Sequence, residues 1–153
     1  MFIFMEVCGT SFLNSLNIAG SALTAERFRT DIILQNISNA KTTRTPEGEP
    51  YRRKQVVFEE RTADFGQALK TEQNRITQAG VRAVEVVESQ QDFTPVYDPS
   101  HPDADENGYV MYPNVNTSEE MVDLMAASRA YEANLSALSI VKAMAMKALE
   151  IGK

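Results

Sequence analysis

The stretch DADENG, residues 103–108, sets Asp103, Asp105 and Asn107 at alternating positions before Gly108, with Val110 two residues on. Alternating oxygen donors closed by a glycine turn are how a calcium-binding EF-hand loop opens, because the hard cation takes carboxylate and carbonyl oxygens. The remainder of such a loop is missing. Its last ligand position, which requires a bidentate Glu, is Asn114; Pro113 stands where an exiting helix must start, and Pro95, Pro99 and Pro102 deny an entering one. A turn in which Asp and Asn side chains accept nearby amides accounts for the same letters. A small calcium-binding module over Asp103–Gly108 is the alternative reading. His101, the one histidine, has Asp98 and Asp103 nearby and reads as a surface or turn-docking residue, not a metal ligand. No Ser–His–acid set, phosphate-cradling glycine loop or paired helical carboxylate–histidine motif is present, so neither an enzyme nor a cofactor nor a small-molecule substrate is expected.

A chain of 153 residues with 43% hydrophobic content has the size of one domain with a modest core. A net charge of −6 argues against nucleic acid as a partner, since binding a polyanion needs clustered Lys and Arg. The one cluster, Arg52, Arg53 and Lys54, lies in an alternating stretch where long basic side chains flank a strand. With Cys8 alone, no intrachain disulfide forms. The apolar start has no Lys or Arg before Arg27 and carries Glu6, which argues against a secretory signal, and no apolar run approaches the roughly 20 residues of a membrane span.

The elements follow from periodicity. Between about Phe12 and Ala40, Ile18, Ala22, Ala25, Phe28 and Ile32 recur at helical steps, with Ile33, Ile37 and Ala40 on a neighbouring stripe; Gly20 sets the expected start of the ordered helix after it. NAKTTRTPEGEP then ends the helix. Residues 51–60 and 81–90 read as strands, with Val56 and Phe58, and Val84 and Val86, as inward pairs. The polar stretch between them, residues 67–80, is ambiguous. The four prolines of DFTPVYDPSHPDADENGYVMYPN predict a long extended connection docked on the sheet. Thr117 and Glu120 have capping-box spacing at the start of a second helix; Glu119, Glu120 and Asp123 suit its positive end, and Lys142, Lys147 and Lys153 its negative end.

On that helix Leu124, Ala127, Tyr131, Asn134, Leu138, Val141, Ala145 and Ala148 make a seam of period 3.5, which keeps facing one partner. Met121, Met125, Leu135, Met146 and Leu149 widen the apolar surface beyond what one partner covers. Asn134 interrupts the seam and either points to solvent or fixes register through a buried hydrogen bond, for which Gln35, Asn36 and Asn39 offer amides. The prediction is an α+β fold: long N- and C-terminal helices forming an antiparallel coiled coil, residues 1–44 and 114–153, with a small β-containing domain, residues 45–113, inserted between them. Unclosed apolar faces invite copies of the same chain, and head-to-tail contact that does not close makes a helical filament.

GSALTAERFRTDIILQNISNAKTT near the start and the stretch from DPSHPDADENGYV through PNVN to SRAYEANL near the end together closely resemble the flagellar rod, hook and hook-associated axial family. The proline-rich phrase points within it to a proximal-rod subunit, with another rod subunit of the same family as the near alternative. The resemblance covers residues 17–65 and 81–151. It implies a structural protein of the bacterial flagellar basal body, exported by the flagellar type III apparatus without a cleaved signal. The terminal helices would line an inner tube and the middle would form an outer domain in a rod crossing the periplasm. Implied partners are further copies, other rod proteins and the adaptor at the rod base. Ala22, Phe28, Asn36, Asn39, Met121, Arg129, Tyr131 and Asn134 carry the family pattern of axial contacts. Ala25, Ile32, Leu124, Leu138, Val141 and Ala145 join them as the apolar interface read from periodicity.

Overall fold

A computed structural model describes the backbone of residues 2–61 and 80–151, and the side chains of residues 12–61 and 80–150. Residues 67–79 of the ambiguous stretch, the Cys8 side chain and Lys153 lie outside the described residues. The order is α1 (Phe2–Ser38), β1 (Lys54–Glu60), β2 (Val81–Glu88), β3 (Thr94–Tyr97), β4 (Tyr109–Tyr112) and α2 (Thr117–Ile151), an α+β arrangement. No helix among the described residues is long and apolar enough to cross a membrane.

The first helix does not wait for Gly20 but runs through it. An interior glycine costs roughly 1 kcal/mol against alanine, and packing of a covered stripe usually outweighs propensity in a folded protein. Ala19 and Ala25, both buried, carry that stripe past the glycine. The helix ends at Ser38, where both the Asn39 amide (3.1 Å) and the Asn39 side chain (2.9 Å) donate to the Gln35 carbonyl and close the last turn.

Strands β1 and β2 pair as a two-stranded sheet. The Ser89 amide donates to the Arg53 carbonyl beyond one end and the Arg61 amide to the Gly80 carbonyl beyond the other, which makes the pair antiparallel. Between those two bonds the first strand advances from Arg53 to Arg61 and the second from Gly80 to Ser89, one residue more, so β2 carries the extra residue as a bulge. The bulge corrects the expected inward pair on β2. Val86 is half-buried together with Val81, five positions away, while Val84 is 48% exposed; a strand without a bulge cannot turn residues an odd number apart to one face. On β1, Val56 and Phe58 are both half-buried, as simple alternation requires.

Gly80 opens β2 at φ +154°, and a Cβ there would lie 2.5 Å from the Ser21 hydroxyl oxygen. That hydroxyl accepts the Val81 amide (3.0 Å) and donates to the Ile18 carbonyl (2.8 Å), so it has no free direction to retreat. Gly80→Ala is therefore expected to cost about 1–3 kcal/mol in urea unfolding through strain and contact together; a cost under about 0.5 kcal/mol would show that this docking point yields freely.

The proline-rich stretch is not one extended connection. It folds back as an antiparallel hairpin in which Thr94, Pro95, Val96 and Tyr97 face Tyr112, Met111, Val110 and Tyr109. Val110 points inward and is 1% exposed, while Tyr97 and Tyr109 meet edge to face at 5.3 Å on the opposite side. Proline is tolerated because each strand of a two-stranded ribbon has one unpaired edge.

The second helix is capped one residue earlier than expected. Asn116 Oδ1 accepts the Ser118 amide (3.0 Å) and the Asn116 carbonyl accepts the Glu120 amide (3.0 Å), the pattern of an N-cap residue. Asn116 thereby displaces Thr117 from the capping box and frees the Glu120 side chain to turn inward. At the far end, among the described residues, no basic residue falls in the last turn, and Lys147 pairs instead with Glu150 (2.9 Å).

Contacts divide the chain into two compact units, residues 1–27, 58–84 and 128–153 in the first, and residues 28–57 and 85–127 in the second. Among the described residues, the buried apolar side chains of the first are Ala19 and Ala25. Those of the second are Ile33, Tyr51, Val110, Pro113 and Ala127, joined by the buried polar Asn36 and Glu120.

Candidate functional site

Two features of the chain stand outside ordinary core packing: a buried polar cluster in the second unit and an exposed apolar surface along α2. The cluster is centred on Asn36, which lies on the covered stripe of α1 and is 1% exposed. Its amide nitrogen donates to the Lys54 carbonyl (2.9 Å) and to Glu120 Oε2 (3.0 Å). Its oxygen accepts the Tyr51 hydroxyl (2.9 Å) and the Lys54 amide (3.0 Å). All hydrogen-bonding capacity of the side chain is thus engaged. Glu120, equally buried, gives its other oxygen to Arg53 Nε, and the Arg53 guanidinium also reaches Asp123 (3.2 Å). The Arg53 amide donates to Asn114 Oδ1 (2.8 Å), while the Asn114 amide group donates to the Gln91 carbonyl (2.9 Å). A carboxylate this deep is tolerated only because a cation and an amide donor both meet it.

Burial pushes the Tyr51 hydroxyl up to about 12, with the negative charges of Glu120 and Glu88 adding to the effect. The proton it keeps is the one donated to Asn36. A raised folded pKa means the stabilisation is complete below pH 10, the ordinary tyrosine value, and is lost as pH climbs toward 12. Wild-type stability should fall by roughly 2–3 kcal/mol more than that of Tyr51→Phe between pH 9 and 12. Parallel urea titrations with superimposable pH dependence for the two proteins would contradict it.

Every acid and donor in the cluster already has a protein partner, so its chemistry is to tie segments together. Alternation places Arg53 at a solvated strand edge, whereas the structure turns it inward. One signal in the sequence points to this: Glu120 lies four residues before Leu124 and seven before Ala127, on the seam where periodicity asks for an apolar residue. An acid in that position needs an inward cation.

The acidic loop serves its own hairpin. Asp103 accepts the Thr43 hydroxyl (2.9 Å) and faces Arg44 (3.6 Å). The Gly108 amide donates to the Asp105 carbonyl (2.8 Å), with Gly108 at φ +78°, and a Cβ there would press within 3.0 Å of the Tyr97 ring. His101 Nδ1 accepts the Asp103 amide (3.1 Å), so the histidine docks the turn. The hydroxyl and amide of Ser100 hold the Asp98 carboxyl below the usual carboxylate range. Among the described residues no group of three or more His, Cys, Asp or Glu side chains is placed to hold a metal ion.

Of the residues expected at an interface between helices, Asn36 and Ala25 are buried, and Ala22, Ile32, Asn39, Leu124, Asn134, Leu138, Val141 and Ala145 are half-buried. Phe28, Met121, Arg129 and Tyr131 are exposed. The 3.5-residue seam drifts on the helix as built: Tyr131 and Ala148 stand outside the covered face, and Ala130 takes the place of Tyr131. A straight helix of 3.6 residues per turn walks off such a seam by about 20° per heptad. Asn36, one of the amides on α1 available for a buried bond, makes one with Glu120 of α2. The exposed side of α2 is heavily apolar, with Met121, Val122 and Met125 in the second unit and Leu135, Ile140, Met144, Met146 and Leu149 in the first, the last 74% exposed.

Residues 106–151, the end of the hairpin and nearly all of α2, match the family model described as the C-terminal region of flagellar basal body rod FlgEFG proteins. Over almost its whole length the chain is also similar to curated rod proteins. It is 45% identical to the flagellar basal-body rod protein FlgC of Bacillus subtilis, over 92% of this chain and 97% of that one. It is 44% identical to FlgC of Salmonella typhimurium, over 94% and 99%, and 41% identical to FlgC of Borreliella burgdorferi, over 90% and 95%. A pair of long terminal helices with this C-terminal signature defines a structural component of the flagellar basal-body rod, in a class of rod proteins and not of enzymes. Within that class the chain belongs to the FlgC family.

Proposed function

We propose that the chain polymerises through its terminal helices into the proximal rod, the shaft that carries torque across the periplasm. In this reading residues 1–44 and 114–153 form an antiparallel coiled coil that lines the axis, and residues 45–113 form the outer, β-containing domain. Neighbouring copies and other rod proteins bury Ala22, Ala25, Phe28, Ile32, Asn36, Asn39, Met121, Leu124, Arg129, Tyr131, Asn134, Leu138, Val141 and Ala145 at contacts within and between subunits. The subunit leaves the cell through the flagellar type III export apparatus without a cleaved signal and meets the adaptor at the rod base.

The observation that carries the reading is the apolar surface of α2. Eight large hydrophobic residues from Met121 to Leu149 are each at least half exposed, and so many large apolar side chains left in water along one helix mark an interaction surface. Covering it with sibling helices supplies the hydrophobic gain that drives association. Removal of residues 141–153 is expected to leave the Asn36 cluster folded, as read by an unchanged alkaline titration of Tyr51, and to abolish incorporation into rods. Normal swimming by the truncated strain would overturn the reading.

A further inference from the structure

We propose that the buried cluster around Asn36 sets the axial register of α1 against α2, with Asn36 as the positioning residue. The apolar residues buried nearest it in sequence on the two helices are Ile33 and Ala127. Apolar contacts are non-directional, so sliding one helix past the other by a turn, about 5.4 Å, changes them little. The polar cluster has no such freedom. Asn36 makes four hydrogen bonds to partners from two other segments, the Tyr51–Lys54 stretch and the first turns of α2. A one-turn slip strands the Glu120 carboxylate and the Asn36 amide together, both only 1% exposed. Arg53 extends the tie by joining Glu120 and Asp123, successive positions on one face of α2, to the start of β1. A single buried amide at a helix seam is the best-attested device for fixing alignment at some cost in stability.

The test separates alignment from stability. In a Cys8→Ser background, spin labels on the exposed positions Leu34 of α1 and Met125 of α2 report the distance between the helices in the free, full-length subunit. The unmodified cluster should give one narrow distance distribution. The apolar variant Asn36→Leu/Tyr51→Phe/Glu120→Leu should keep its helical circular dichroism but give a broad or two-component distribution, its components differing by up to about 5 Å, the most that a slip of one turn can produce. A single narrow distance in that variant would overturn the proposal, and so would loss of helical signal, which would make the cluster a requirement for folding in place of a device for alignment.

The unmodified chain supplies a second reading. The Lys54 amide donates to the Asn36 side chain, so it should exchange with solvent at least about a hundredfold more slowly than the amide of Glu47 in the exposed turn. Comparable rates would show that the cluster is not closed in solution and would also overturn the proposal. The consequence for rod geometry rests on the proposed rod function. The distances and exchange rates do not, so a failure of one is distinguishable from a failure of the other.

Discussion

Arg53→Ala is expected to lower the unfolding free energy of the subunit by about 3 kcal/mol, the low end of the range for removing one partner of a buried ion pair. The low end applies because the arginine side chain is still 19% exposed, whereas Glu120 is 1% exposed. What is lost is less the attraction itself than the partner of a carboxylate that cannot reach water. Asn36 continues to donate to one oxygen of Glu120, so the acid is under-satisfied, not wholly orphaned. Glu120→Ala removes the buried charge along with the bond. The double variant Arg53→Ala/Glu120→Ala should consequently be more stable than Arg53→Ala alone, by about 1 kcal/mol or more. Urea unfolding of the three proteins at pH 7 checks both statements. A loss below about 1 kcal/mol for Arg53→Ala, with no recovery in the double variant, would show that the pair is solvated.

The second large effect is on assembly and leaves folding alone. Ile140 and Met144 are one turn apart on α2, 53% and 64% exposed. Ile140→Asp/Met144→Asp should change subunit stability by no more than about 0.5 kcal/mol per site, as surface substitutions do. Within the proposed rod the same positions enter an apolar contact, where each lost side chain removes roughly 1.5–3 kcal/mol of burial and each carboxylate adds a desolvation cost. Those terms recur at every subunit, so rod incorporation and swimming should be lost while the purified protein melts almost as wild type. Swimming at the wild-type rate would contradict the assignment of this face to subunit contacts.

Much of the architecture is legible in the order of residues alone. Long apolar repeats mark both helices, and β-branched runs mark β1 and β2, because periodicity records which side of an element is covered. Three kinds of feature are hidden. Gly20 suggests a helix start that stripe packing overrides. The prolines at 95, 99, 102 and 113 suggest an extended connection, although Pro95 pairs with Met111 in a ribbon with free edges. The bulge that turns Val84 outward depends on the pairing register with the partner strand, and no local pattern shows it. The polar cluster is half visible. Asn36 lies in a family phrase and Glu120 on an apolar seam, but the choice of Arg53 over its neighbours Arg52 and Lys54 follows from strand direction. Arg52 instead stacks its guanidinium 4.4 Å from the Phe93 ring.

The exposed apolar side chains of α2 are open in the free subunit and, in the proposed rod, covered by its neighbours. Oxidative footprinting of Met144 and Met146 tests this most directly, since thioether oxidation follows exposure. Dilute hydrogen peroxide should convert both residues to sulfoxides readily in the purified subunit, where they are 64% and 54% exposed. In isolated basal bodies the same treatment should modify them at least about tenfold more slowly. Equal rates in the two samples would mean that these two sides of α2 remain in water after assembly, and the proposed rod contact would be wrong.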